Sequence, residues 1–318
     1  MAVRMMPFYA QWVTIMQVLL PGGSLDAMSR RGWALFGAMA IIWGIPYLLI
    51  RVAVRQVDPG VLVLGRTLPA AVLLVPLVIA RRQFALLWSH LKWIAIFAII
   101  EFGIPWYLMA TSERHITSSL TSLLICAVPL FSVVGQRVRR TEDHVTPRRL
   151  LGLAIGALGV ALLVGLGIRG GSFEWIGLML LVCLGYSVGP VILATKLHFV
   201  PGIVVVAGAT SVVALCWIPW TIVHWPRAIS SETWTTVAVL SVICTAGAFL
   251  VFFELVKEVG STRSVVVTYV NTAIAVVLGI VFLSEPLTIG IVLGFPLVLV
   301  GSIVATSSRP TSANAEHA

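Results

Sequence analysis

Asp143-His144-Val145-Thr146 and Glu285-Pro286-Leu287-Thr288 stand 142 residues apart and share one pattern, acidic-x-x-Thr. At the same offset Gly152 falls on Gly294, Gly159 on Gly301, Pro59-Gly60 on Pro201-Gly202 and Trp33 on Trp175. Solenoid units run to about 20–50 residues, so a period this long is a duplicated domain. What each copy contains decides the architecture.

Composition rules out a soluble domain. The chain is 59% apolar and 10% charged, with a mean hydropathy of +1.04, whereas soluble domains carry about 25% charged residues. Apolar stretches of about 20 residues, the length a helix needs to cross the hydrocarbon, recur throughout. Ten are expected, at 33–52, 60–80, 91–111, 117–137, 149–168, 174–195, 202–223, 233–254, 262–283 and 287–306. Each copy then owns five, and an odd number of crossings turns the second copy over in the bilayer, as in many transporters. The expected fold is an all-α integral membrane protein. Its ten transmembrane helices form two inverted-topology five-helix repeats, 33–168 and 174–306, around a central cavity. Residues 1–32 form an N-terminal extension and 307–318 a disordered cytoplasmic tail.

Charge placement sets the orientation. Of 21 Lys and Arg, five (Arg51, Arg55, Arg114, Arg169, Arg227) fall on one side and Arg66 lies within a span, leaving fifteen on the other. The richer side is cytoplasmic, which places both termini inside, in a bacterial-type inner membrane. The net charge of +9 is therefore anchoring charge, not a nucleic-acid surface. Residues 8–20 are apolar but too short to cross. Either Met28 is the natural start of the protein or this segment is an interfacial helix. Cys126, Cys183, Cys216 and Cys244 lie in apolar stretches without metal-ligand spacing, and read as small buried hydrophobes. No cofactor is expected.

Trp43-Gly44-Ile45-Pro46-Tyr47 in the first span, Arg66 in the second, Pro129 in the fourth, and the acidic-x-x-Thr then Gly-x6-Gly pattern of each half occur in a telling order. Together they resemble the ten-span EamA-like branch of the drug/metabolite transporter superfamily over residues 33–306. The resemblance implies inverted five-helix repeats around a cavity, helices 5 and 10 as outer supports, and movement of small organic solutes. Two departures are Asn271, where the family often has proline, and Gly185-Tyr186-Ser187-Val188-Gly189-Pro190, which copies the first-span motif only loosely.

Ionisable groups at membrane depth are costly and mark sites, charge pairs or wet cavities. Glu101 and Arg66 differ in depth by roughly 6 Å at 1.5 Å per residue, within reach of each other. They either line the pathway or form a structural ion pair. The position 142 residues beyond Glu101 is Ile243, so the charge is not a requirement of both repeats. Ser264, Thr268 and Asn271 share one helix face, and their mates are Ser122, Cys126 and Pro129. These faces either wall a cavity or pack as a small-residue seam. Trp43, Tyr47, Tyr186 and Tyr269 offer aromatic surface to a solute. Glu254, beside Lys257, reads as an interfacial charge.

Asp143 and Glu285 repeat, and read as charges at the N-termini of their own helices, with the threonines as caps. Gly152-x3-Gly156 and Gly290-x3-Gly294 let helices approach closely, within the chain or in a homodimer.

These readings point to a secondary transporter that exports amino acids or related small metabolites by alternating access. Efflux of lipophilic cations is the main rival, then carriage of phosphorylated or nucleotide sugars, for which basic groups are few. An integral membrane enzyme would need a catalytic constellation that the histidines at span ends do not supply. No G-x4-G-K-[ST] loop occurs, so ATP is not the direct energy source. Proton coupling is the expected alternative. Glu101 is the first candidate to carry the proton, because an ionised carboxylate is expensive at that depth.

Overall fold

The computed structural model describes residues 28–138, 147–167, 173–260, 264 and 266–306. Within them lie ten long helical segments and no strand: α1 Arg30–Ala53, α2 Pro59–Ala80, α3 Leu91–Ser112, α4 Ser118–Ile125 continuing as Val128–Val138, α5 Pro147–Gly167, α6 Phe173–Lys196, α7 Gly202–Val223, α8 Ser231–Val259, α9 Val267–Leu283 and α10 Ile289–Thr306. Among the described residues, α1, α2, α3, α6, α7 and α8 are long and apolar enough to cross a membrane. The apolar parts of α4, α5, α9 and α10 are shorter. Leu68, Val72, Leu150, Ile222, Val281 and Phe282 are among many large apolar side chains left exposed. A water-facing surface does not carry so large an apolar area, so lipid is its natural contact.

Local chemistry sets the helix starts. Ser29, Asp58, Thr117 and Ser230 each accept a backbone N–H from the first turn of α1, α2, α4 and α8, which satisfies donors the helix cannot. Pro59 opens α2, where a missing N–H costs nothing.

The duplication is visible in helix lengths. α1 and α6 are each 24 residues and α2 and α7 each 22, with starts 143 residues apart rather than 142. Packing is reciprocal. α1 lies on α9 and α6 on α4, while α2 meets α8 and α7 meets α3. The equivalent helices α2 and α7, α4 and α9, and α5 and α10 pack on one another.

The α5–α10 contact absorbs the glycines. A Cβ on Gly152 would strike the backbone of Ala305, and one on Gly301 the backbone of Gly156, while Gly159 faces Val298 and Gly294. The small-residue stripe thus joins two helices of one chain, and those glycines are not left over for a homodimer.

Other expectations shift. α8 runs to Val259, five residues beyond its expected end. Its last turns carry Glu254 and Glu258, which pair with Arg31, and Lys257, which pairs with Glu254. The Arg31 pairs tie this extension to the start of α1. α4 breaks at Cys126-Ala127, just before Pro129, because proline cannot donate to the preceding turn. Ser302 Oγ donates to the freed Cys126 carbonyl at 3.0 Å. Cys126, Cys183 and Cys244 are buried, but Cys216 is exposed on the apolar surface. The N-terminal segment before Met28, Asp143, Arg169 and the tail from Ser307 lie outside the described residues.

Candidate functional site

Two helices share an unusual backbone device. α3 widens into a π-turn at Ile99–Gly103 and α8 at Val242–Gly247. π-turns are rare and concentrate at functional positions. In α3 the cause is Pro105, which has no N–H for the carbonyl four residues back. In α8 Thr245 Oγ1 donates to the Leu240 carbonyl at 2.8 Å. The third residue of the first turn is Glu101 and of the second Cys244, so the mate of Glu101 is Cys244 rather than Ile243. Ile243 is exposed and faces outward.

Arg66 joins the two turns. It is 7% exposed. Nε donates to Thr245 Oγ1 at 2.9 Å, and its backbone carbonyl accepts Ser241 Oγ at 2.9 Å. The guanidinium lies 3.6 Å from the centroid of Trp106, one of the stronger cation–π placements because the cation is desolvated. Phe102 stacks on the same indole at 4.7 Å. Among the described residues the Nε bond is the guanidinium's only hydrogen bond, and a small crevice opens beside it, bounded by Ile50, Leu62, Val63 and Ala110. Tyr47 and Tyr186 both lie within electrostatic reach of this cation, and Tyr186 also sits against Trp106 and Glu101.

Glu101 does not pair with Arg66. No hydrogen bond or ion pair joins them among the described residues, and Glu101 Oε2 is shielded from solvent without a partner. Arg66 is held instead by Thr245 and Trp106. Glu101 instead presses on α6. A Cβ on Gly189 would overlap its carboxylate, and one on Gly185 would meet the Ile100 carbonyl and Pro105. The two glycines of Gly185-Tyr186-Ser187-Val188-Gly189 are therefore the cradle for the α3 π-turn.

The structure brings Tyr47, Arg66, Glu101 and Tyr186 into one cluster and disperses the rest. Trp43 packs on Phe252 and Phe249, at one edge of the bundle. Tyr269 lies beside Ser302. Ser122 and Ser264 are wholly buried, and each hydroxyl donates to a carbonyl of its own chain segment, Ser119 and Gly260. The α4–α9 contact runs through Thr272, which accepts from Cys126 at 3.2 Å and donates to the Thr268 carbonyl at 2.9 Å. Asn271 is buried, with its backbone carbonyl against Gly44 of α1. In this structure the face packs against α4 and α1.

Beyond the α3 end of the cluster lies a polar layer that the sequence did not single out. Glu285 caps α4, not its own helix. Oε1 accepts Ser118 N and Oγ at 2.7 and 2.9 Å, and Oε2 accepts Ser119 N and Oγ at 3.0 and 2.5 Å. Thr288 does cap α10, accepting Ile291 N at 3.2 Å. An Arg51 N–H donates to the Glu113 carbonyl, Arg114 donates to the Val57 carbonyl at 3.0 Å, and Trp220 Nε1 donates to Asp58 at 2.8 Å.

Two similar helical units pack reciprocally around buried charge and present a lipid-suited exterior, as a multi-pass membrane protein does. A family model described as the EamA-like transporter family matches residues 30–165 and again 173–307. The chain belongs to that family, and is a multi-pass membrane transporter of small solutes. It is 24% identical over 291 residues, 88% of this chain and 93% of the relative, to the uncharacterized transporter YvbV of Bacillus subtilis (strain 168). A protein of known crystal structure superposes with a TM-score of 0.61 at 17% identity, over 86% of this chain and 97% of its own. That likeness concerns the fold.

Proposed function

We propose that the protein is a secondary carrier exporting amino acids or related small metabolites by alternating access. All ten helices would cross the membrane, the second repeat inverted relative to the first and both termini cytoplasmic. The reciprocal packing supports that inversion. One observation carries the substrate class: buried Arg66 and half-buried Glu101, whose Oε2 is shielded, are opposite in charge and not bonded to each other. An α-amino acid has the complementary pair, with its carboxylate for Arg66 and its ammonium for Glu101. Tyr47, Trp106 and Tyr186 would supply the walls.

The crevice beside Arg66 has room for about one water molecule, so solute entry requires the helices to part. The π-turns of α3 and α8 are the natural hinges. A second reading rests on the unpartnered Glu101 oxygen among aromatic rings, which suits a lipophilic cation. Purified protein in liposomes, assayed for counterflow of pooled radiolabelled amino acids with and without a pH gradient, separates the two. Counterflow of amino acids is expected. None, alongside movement of a quaternary cation, overturns the first reading.

A further inference from the structure

Glu113 is 0% exposed, and neither carboxylate oxygen has a hydrogen-bond partner. It follows the last residue of α3, beyond the apolar span. The groups that face it are Tyr47 and Arg51 from α1, Arg66 from α2, and Glu285 from the α9–α10 connection. None bonds to its carboxylate, and the Arg51 bond goes to its main-chain carbonyl. Glu285, by contrast, takes four N–H and O–H donors.

Two carboxylates in one dry site cannot both ionise cheaply. Glu113, with no donor on either oxygen, is the one that gains most from a proton. Structural need does not explain Glu113. At the 143-residue offset that pairs Glu101 with Cys244 stands Val256, so an apolar side chain takes the same place in the other half.

We propose that Glu113 is a proton-binding site whose occupancy is coupled to closure of this end of the bundle, where Glu285 clamps α4. With the proton bound, the layer closes as seen here. When α4 and the α9–α10 connection separate, water reaches Glu113 and the proton leaves to it. Burial first, and then Glu285, push the Glu113 carboxyl up from the usual carboxylate range, against the pull of Arg51 and Arg66. The sign follows. The closed state is favoured at low pH and loses that support as pH rises through the raised value. This inference uses the topology proposed above, which makes this the outer end, but not the choice of solute.

Infrared titration of the purified protein tests the proton without any solute. The parent is expected to keep a protonated-carboxyl C=O band at neutral pH, part of which Glu113→Gln and Glu113→Leu both lack. Spectra of both variants that superimpose on the parent's would overturn the proposal. Coupling is read in liposomes from an Ile116→Cys probe, buried in this closed layer, in a Cys216→Ser background with an impermeant maleimide. Rates are normalised to a free thiol at each pH. Labelling from outside should rise with pH, by at most about tenfold per unit for one proton, and Glu113→Leu should flatten it. An unchanged profile in Glu113→Leu overturns the coupling. Labelling only from the inside overturns the topology and leaves the infrared result standing.

Discussion

The π-turns of α3 and α8 are the same backbone device with different contents. In α8 the polar side chain is Thr245, whose hydroxyl both donates to Leu240 and accepts from Arg66. In α3 it is Glu101, whose Oε2 has no partner. One turn is tied shut by its own chemistry and the other is left with an unspent charge. Duplication supplied the π-turn twice, and divergence put a carboxylate in only one.

Removing the residue that joins the turns tests this contrast hardest. Arg66→Met should reduce counterflow on the order of 100-fold, because a desolvated cation is lost from the pathway. Thermal stability should stay level or rise, since an apolar replacement of a buried charge is often neutral or stabilising. A collapse in stability would make Arg66 structural instead. Glu101→Gln should cost roughly tenfold at the pH optimum and flatten the pH profile, a coupling of ordinary size. Full pH-dependent transport in that variant removes Glu101 as proton carrier.

Gly189→Ala pushes a methyl group into the Glu101 carboxylate, and should slow counterflow roughly fivefold, within the usual cost of overpacking. The shorter side chain of Glu101→Asp should restore part of the loss in the double variant. A double variant no better than Gly189→Ala would mean that the contact is incidental. Thr245→Val removes the hydroxyl bond to the Leu240 carbonyl and leaves Arg66 Nε without its acceptor, and should destabilise by about 1–3 kcal/mol, read by thermal unfolding, with the smallest effect on transport.

Much of this was legible in the sequence, and what was not has physical causes. The repeat, the helix order and Arg66 follow from spacing and from the cost of charge at membrane depth. The π-turns do not, because a wide turn leaves no mark on a 3.6-residue period beyond Pro105. The mate of Glu101 is Cys244 rather than Ile243 because the two halves are already offset by 143 residues at α1 and α2. Thr245 and Trp106 were missed for a related reason: their roles come from Arg66 crossing between helices. Glu113 next to Arg114 reads as a solvated turn. It is buried because the ends of α1 and α2 and the α9–α10 connection close over it. Glu285 reads as a cap for its own helix, yet its donors come from residues 167 and 166 positions earlier.

That separation has a consequence for how the protein is made. In the first turn of α4 the Ser118 and Ser119 N–H groups both donate to Glu285, an acceptor translated 167 and 166 residues later. At about 5–20 residues per second, the nascent chain waits on the order of 10–30 s with that helix end unsealed. Early synthesis of the first repeat therefore gives it no independent completion. The α9–α10 connection, made long after α4, is the latch of the first half.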